Sequence, residues 1–241
     1  MSTSIKRTIK RRETLFFIIV VLFAALFLFP IIWMLVTSVR PTQDIYTYPP
    51  TIIPGALTLE NFIYIFTGMR GFLRYLTNSL VVTVSTVLIV LVSSSMGGYA
   101  FGMRKFRGQN LLFMLVIGVL TVPYIMYLIP IYLMEYQLGL QNSWLGLILP
   151  YVALNLPWGI LIMRGAFSTI PTDLRDAAII DGCSEFQLWY KVLMPVNRPS
   201  LAATTIITFV FAWQEYMFAS TLMTSNDWQT LPVGIVWLRD E

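Results

Sequence analysis

Long stretches without a charged residue limit what this chain can fold into more than any other feature of its sequence. Asp, Glu, Lys and Arg are absent from residues 14–39, 75–103, 108–134 and 136–163, and residues 199–226 hold only Glu215. A helix needs about 20 apolar residues to cross a bilayer. We therefore expect an all-α, polytopic membrane helical bundle. The five expected spans are 14–38, 75–99, 110–133, 143–163 and 200–222.

The overall composition agrees with a lipid environment. Hydrophobic residues make up 57% of the 241 residues and charged residues 12%, whereas soluble domains average about 25% charged. The sequence has no histidine and one cysteine, Cys183, which excludes histidine-based catalysis, histidine metal sites and an intramolecular disulfide. We expect neither a metal site nor a catalytic residue in this chain.

The placement of the basic residues predicts which side of the membrane each connection faces. Twelve of the 16 lysines and arginines precede the first span, or lie between spans two and three or spans four and five. The positive-inside rule then predicts a cytoplasmic N-terminus and an external C-terminus. We divide the chain into a basic cytoplasmic segment (1–13), a transmembrane domain (14–223) with an inner loop (164–198), and an external segment (224–241).

The sequence contains little that would drive transport by itself. A proton-coupled carrier usually holds carboxylates or histidines near mid-membrane, whereas Glu135 and Glu215 are expected towards the outer side. A sodium-coupled carrier that binds sodium through backbone carbonyls remains an alternative. No lysine belongs to a Walker-type phosphate-binding sequence. If the chain supports uphill transport, another subunit must supply the energy.

The loop between spans four and five has the local signals of folded structure. Residues 171–173 favour the start of a helix, and Gly182 favours its end. Ser184 and Gln187 have the spacing of a capping box for a second helix, which Pro195 is expected to end. Acidic and basic residues are balanced, which favours docking onto a protein over a basic anchor lying on the membrane surface. We expect a compact two-helix knuckle here.

This loop resembles the EAA signature of binding-protein-dependent ABC importer permeases. The usual form is E-A-A-x-x-x-G, nine residues, then I-x-L-P. In this chain Asp176-Ala177-Ala178-x-x-Asp181-Gly182 is followed after nine residues by Val192-x-Met194-Pro195. The spacing matches in full, and the substitutions of Asp for Glu, Val for Ile and Met for Leu are mild.

The resemblance is closest to the carbohydrate-uptake branch, of the maltose and glycerol-phosphate type. Similar landmarks are Phe-Ser-Thr-Ile-Pro at 167–171, Trp-Gln-Glu-Tyr at 213–216 and Thr-Leu-Pro-Val-Gly at 230–234. Members of this branch generally have a sixth span after the last landmark, and there is no room for one before Glu241. We expect that span to be missing, either because the sequence is a fragment or because the gene is truncated.

The resemblance implies one half of a type I importer permease for sugars or related polyols and sugar phosphates. Its implied partners are a second permease subunit (identical or different), two cytoplasmic ATP-binding subunits, an extracytoplasmic solute-binding protein and membrane lipid, without nucleic acid. This chain would bind no cofactor, because ATP is used by the partner. The implied location is the plasma (inner) membrane of a bacterium or archaeon.

The resemblance also assigns roles within the loop. Gly182 would form the corner, Ala177 and Ala178 would pack in a cleft of the ATPase, and Asp176 and Asp181 would make polar contacts at its rim. The implied coupling residues are Asp176, Ala177, Ala178, Asp181, Gly182, Val192, Met194 and Pro195.

Polar and aromatic side chains within the expected spans are candidates for the solute path, because sugars need hydrogen-bond partners and aromatic faces. They are Asn78, Ser79, Thr83, Asn155, Trp213, Gln214 and Glu215. The alternative for the polar groups is hydrogen bonding between helices. The alternative functions are import of another small solute, a secondary carrier, and a membrane-embedded enzyme.

Overall fold

In a computed structural model of the chain, the described residues are 2–48, 55–69 and 71–238, with side chains from Arg12 to Val236. The N-terminal part of the expected basic segment and residues 239–241 of the expected external segment therefore lie outside the described side chains. The described chain is helical and contains no strand. It divides into two compact units, Met1–Arg70 and Gly71–Glu241.

The described residues form thirteen α-helices. They are α1 (Ser2–Ser38), α2 (Thr42–Ile45), α3 (Glu60–Thr67), α4 (Phe72–Met103), α5 (Gln109–Gly118), α6 (Leu128–Leu138), α7 (Trp144–Ser168), α8 (Thr172–Ile180), α9 (Glu185–Gln187), α10 (Met194–Val196), α11 (Arg198–Gln214), α12 (Met217–Leu222) and α13 (Leu231–Leu238). Short 3-10 turns lie at Val119–Thr121 and Tyr124–Tyr127, and Leu188–Leu193 forms a π-helix.

The first unit is organised by the end of α1. The Asn61 side-chain amide on α3 donates hydrogen bonds to the carbonyls of Ser38 at 3.0 Å and Arg40 at 2.7 Å. The Arg40 guanidinium lies 5.4 Å from the ring centre of Trp33. These contacts fold the residues after α1 back against the end of that helix.

The second unit is built on close contact between α4 and α7. A Cβ atom added at Gly98 would lie 2.4 Å from Met163 Cβ, and one added at Gly159 would lie 2.7 Å from Ser94 Cβ. Small residues let membrane helices approach this closely. The order of the contacts shows that α4 and α7 run parallel, and α11 packs against both.

The number of long helices differs from the five expected spans. Three described helices are long and apolar enough to cross a membrane: Arg12–Ser38, Phe72–Met103 and Trp144–Ser168. The third expected span is a bent pair, Gln109–Thr121 and Tyr124–Leu138, with an angle of 95° between its halves; counted as one span, it raises the number to four. Val122 is extended at the break, as the following Pro123 favours.

The fifth expected span is also interrupted. Helix α11 has 17 residues and ends at Gln214, and Glu215 is extended with φ −66° and ψ 126°. The chain becomes helical again at Met217. Farther on, α13 packs against α4, with Gly234 so close to Tyr75 that an added Cβ would lie 2.2 Å from the ring. The described residues thus hold three or four candidate spans where five were expected, because the helices over 110–133 and 200–222 are interrupted.

Candidate functional site

The inner loop folds into two short helical segments joined at a glycine corner. Helix α8 ends at Ile180, and Gly182 follows with φ +84°. The Gly182 amide donates to the carbonyl of Ile179 at 3.0 Å, and the Cys183 amide donates to that of Ala178 at 3.0 Å. Glycine adopts this left-handed conformation at little cost, which explains its use after a helix. We call residues 171–197 the knuckle.

The second segment begins with the predicted capping box. The Gln187 amide donates to Ser184 Oγ at 3.3 Å, and the Ser184 amide donates to Gln187 Oε1 at 2.9 Å. This prediction is confirmed. The expectation that Pro195 ends the segment is wrong, because Pro195 lies inside α10 and the helical path breaks at Asn197. The preceding π-helix changes the hydrogen-bond register, so the proline, which has no N–H to donate, is accommodated.

One side of the knuckle is buried within the chain itself. Ala178, Leu188 and Leu193 belong to an apolar cluster with Met163 and Phe167 of α7. Ala178 is buried in this cluster, whereas Ala177 is exposed. The expectation that both alanines pack in a partner's cleft is therefore revised for Ala178, whose methyl group already packs inside this chain.

The opposite side of the knuckle is open to the surroundings. Its apolar side chains include Ile180, which is 85% exposed, and Phe186, which is 64% exposed. Asp176, Asp181 and Gly182 are exposed beside them. Val192 and Met194 are half-buried at the edge of the internal cluster. Exposed apolar side chains rimmed by carboxylates are typical of a protein-docking surface.

A carboxylate of the knuckle is bonded to the end of α4. The Tyr99 hydroxyl donates to Glu185 Oε2, Arg104 donates to Glu185 Oε1, and an Arg175 nitrogen lies 3.6 Å from the same oxygen. The hydrogen bond from Tyr99, together with the charges of Arg104 and Arg175, lowers the pKa of Glu185. Sequence reasoning missed this cluster, because Glu185 is 81 positions from Arg104 and 86 from Tyr99, and no local pattern links residues so far apart.

Asn78 and Ser79, two candidates for the solute path, hold another part of this chain. The Asn78 amide donates to the Asp227 carbonyl at 3.0 Å, and its oxygen accepts from Trp144 Nε1 at 3.0 Å. Ser79 Oγ accepts a hydrogen bond of 2.7 Å from the Leu231 amide. Their polar groups therefore fasten the segment before α13 to α4, which agrees with the alternative of internal hydrogen bonding.

Asn155 lies at a cavity of about 230 Å³ beside the bend of the broken helix pair. Its amide donates to the Tyr151 carbonyl at 2.8 Å. Leu120, Pro123, Tyr124, Leu154, Trp158 and Phe211 are among the other lining residues. Thr83 is buried on α4, and its hydroxyl has no hydrogen-bond partner among the described residues. The cavity combines an amide with aromatic rings, the groups that a sugar ring requires.

The candidates around residue 215 lie at the interruption after α11. Glu215 is buried; its Oε1 accepts from the Phe218 amide at 2.9 Å and its Oε2 from the Ala219 amide at 3.1 Å. The carboxylate thus caps the start of α12. Trp213 stacks on Phe209 with ring centres 5.6 Å apart, and Gln214 is exposed. None of these three lines the cavity at Asn155.

The known proteins that this chain resembles include membrane components of transport systems. The sequence profile described as "Binding-protein-dependent transport system inner membrane component" matches residues 89–241. The chain is 34% identical over 212 residues to the arabinooligosaccharides transport system permease protein AraQ of Halalkalibacterium halodurans, covering 87% of this chain and 75% of the relative. It is 36% identical over 214 residues to the sulfoquinovosyl glycerol transport system permease protein SmoH of Agrobacterium fabrum, with coverages of 89% and 75%.

Two further similarities extend this result. The chain is 29% identical over 217 residues to the diacetylchitobiose uptake system permease protein NgcG of Streptomyces coelicolor, covering 90% of this chain and 71% of the relative. Among solved structures, it is similar to a bacterial ABC transporter involved in the import of the acidic polysaccharide alginate, with a TM-score of 0.82 and 22% identity. That match covers 97% of this chain and 81% of the solved one, and it shows a common fold.

Proposed function

The chain belongs to the family of binding-protein-dependent transport system inner membrane components, and we propose that it forms half of the permease of an ATP-driven importer for a sugar or sugar derivative. Relatives named for arabinooligosaccharide, sulfoquinovosyl glycerol and diacetylchitobiose transport support this substrate class. The other half of the permease is a second subunit, identical or different. A solute-binding protein outside and two ATP-binding subunits inside complete the importer.

The proposed orientation places the N-terminus and the knuckle in the cytoplasm. The concentration of lysine and arginine before α1, after α4 and between α7 and α11 supports it. In this orientation the broken pair of helices and the cavity at Asn155 lie within the membrane. ATP is then bound by the partner subunits, and this chain contributes the surface on which they act.

The observation that carries the proposal is the exposed half of the knuckle. Ala177, Ile180 and Phe186 present apolar surface next to Asp176 and Asp181, while the other half of the knuckle is fixed by internal packing. Such a surface fits a groove on an ATP-binding subunit. When two ATP-binding subunits close around ATP, they move the knuckle, and the membrane helices change from inward-open to outward-open as rigid bodies.

The solute path is proposed at the cavity lined by Asn155, Trp158 and Tyr124. The chemistry of the lining supports this choice, because an amide and aromatic faces together bind a sugar ring. Asn78 and Ser79 are assigned instead to fastening the segment before α13, since both already bond to it. Thr83, Trp213, Gln214 and Glu215 are not assigned to the cavity.

The test is site-directed crosslinking in the assembled importer, with Cys183→Ser as the background. We expect Ile180→Cys to crosslink to the ATP-binding subunit in inverted membrane vesicles, because Ile180 is highly exposed on the knuckle. Tyr136→Cys is the matched control: Tyr136 is 67% exposed and belongs to the proposed outer side. Crosslinking from Tyr136→Cys but not from Ile180→Cys would reject both the orientation and the docking surface.

A further inference from the structure

We infer that Glu185 is a positioning residue that transmits movement of the knuckle to helix α4. The inference rests on the proposed function, since it concerns how the docked knuckle acts on the membrane helices. Glu185 makes contacts on both sides: Tyr99 and Arg104 belong to the end of α4, and Arg175 belongs to α8. Its two carboxylate oxygens therefore connect the docking segment to a long helix of the bundle.

The geometry at the end of α4 favours a specific link over a chance surface contact. Arg104 directly follows Met103, the last residue of α4, and it is extended with φ −96° and ψ 153°. Tyr99 lies five residues earlier and packs its ring against Phe167 with centres 6.0 Å apart. Glu185 accepts from both at once, so its position is set from two directions. Charge-assisted bonds of this kind have strong directional preferences.

Helix α4 extends from this link to a second set of contacts near its first turns. With 32 residues it is about 48 Å long, at about 1.5 Å per residue. Near its first turns, Arg74 pairs with Asp227, and Asn78 bonds to the carbonyl of the same residue. Displacement of α4 at the Glu185 end is therefore carried to the segment that precedes α13.

The solvent exposure of the Arg104–Glu185 ion pair indicates that Glu185 contributes little to folding stability. The Arg104 and Glu185 side chains are 44% and 48% exposed, and ion pairs this open to solvent contribute little to stability. The apolar cluster around Leu188 and Leu193 holds the knuckle in place without this ion pair, and it also includes Tyr99 of α4. Removing Glu185 is thus expected to leave the knuckle folded and docked, but to loosen its hold on α4.

The experiment uses the complete importer with its ATP-binding subunits, in the Cys183→Ser background. Leu73→Cys, at the distant end of α4, reports on that helix through its rate of reaction with a maleimide. The rate is measured with ATP and vanadate and again without nucleotide, so no transported solute is needed. In the otherwise unchanged importer we expect the ratio of the two rates to differ from one. In Glu185→Ala and Arg104→Ala we expect the ratio to move towards one.

Docking is followed separately through the crosslink from Ile180→Cys to the ATP-binding subunit. We expect this crosslink to be retained in Glu185→Ala and Arg104→Ala. The exchange of charges in Arg104→Glu with Glu185→Arg is expected to restore a rate ratio different from one. Asp173→Asn is the matched control, because it removes another exposed carboxylate of the knuckle that forms no ion pair in the described part of the chain. It should leave the ratio unchanged.

The outcomes separate this inference from the proposed function. If Ile180→Cys gives no crosslink even with Glu185 present, the proposed docking surface itself is wrong. If the crosslink forms but the rate ratio at Leu73→Cys is one with Glu185 present, or is unaffected by Glu185→Ala, the inference about α4 is overturned. Loss of the crosslink in Glu185→Ala would also overturn it, because Glu185 would then only shape the docking surface.

Discussion

The Tyr151 hydroxyl of α7 donates a hydrogen bond of 2.5 Å to Glu215 Oε2, at the point where α11 is interrupted. The same carboxylate accepts from two backbone amides at the start of α12. Glu215 is the one charged residue in an otherwise apolar stretch. Its carboxylate therefore helps to hold α11 and α12 together at the interruption between them.

This arrangement predicts that Glu215→Ala destabilises the protein. The substitution leaves the buried Phe218 and Ala219 amides without their acceptor, at a cost of about 1–3 kcal/mol for each unsatisfied group. Tyr151→Phe removes one hydrogen bond and should cost only about 1 kcal/mol. Thermal unfolding in detergent, followed by tryptophan fluorescence, measures both. Equal melting temperatures for Glu215→Ala and the unchanged protein would show that the cap contributes nothing.

The corner of the knuckle predicts a functional effect of Gly182→Val. At φ +84° a β-branched residue is strained by about 1–2 kcal/mol or more, although an added Cβ would meet no atom within 4 Å. The backbone is therefore expected to shift, and ATP hydrolysis to continue with reduced solute uptake. Uptake per ATP hydrolysed, in proteoliposomes containing the whole importer, is the measurement.

Gly108 provides the matched control for that experiment. Its φ of +79° is similar, and an added Cβ there also lies in open space, but the residue is outside the knuckle. Gly108→Val should carry the same strain and keep uptake coupled to hydrolysis. Equal loss of coupling in both variants would mean that strain at any loop glycine has this effect, and the special role of Gly182 would be lost.

The contacts of Glu185 predict a pH dependence of stability. Because the pKa of Glu185 is lowered in the folded chain, its contribution to stability is complete above the ordinary glutamate value of 4.5. It is lost as the pH falls through the lowered folded-state value. Because the ion pair is half exposed, this contribution is small, and the melting temperature should decline slightly more steeply below 4.5 than that of Glu185→Gln. Parallel curves on acidification would contradict the prediction.

The close approach of α4 and α7 predicts opposite effects at two helix glycines. A Cβ at Gly98 would lie 2.8 Å from the backbone carbonyl carbon of Met163, so Gly98→Ala should cost about 1–3 kcal/mol of stability. Gly118 of α5 has no atom within 4 Å of its added Cβ, so Gly118→Ala should be neutral or stabilising by up to about 1 kcal/mol. The melting temperatures of the two variants test this prediction. An unchanged melting temperature for Gly98→Ala would contradict the close contact between α4 and α7.

Features decided by neighbouring residues were predictable from the sequence. The capping box at Ser184 and Gln187 depends on residues three apart, and the left-handed corner at Gly182 depends on one residue after a helix. The apolar stretches correctly indicated a membrane bundle, because their length alone matches the bilayer.

Features decided by distant residues were not predictable. Glu215 was recognised as an interruption of an apolar stretch, but its partner Tyr151 is 64 positions away. Asn78 and Ser79 looked like path residues because nothing local reveals that their partners follow residue 226. The burial of Ala178 depends in the same way on how helices pack together.

The glycine contacts between α4 and α7 limit how the second unit can change shape. At these contacts a Cβ added at Gly98 would lie 2.8 Å from the Met163 carbonyl carbon, and one added at Gly159 would lie 2.7 Å from Ser94 Cβ, so little space is left to absorb a shear between the two helices. Sliding or rolling of one helix against the other would require the backbones to separate first. Shear between α4 and α7 is therefore restricted at these two points, and the interrupted segments around them have the greater freedom to rearrange.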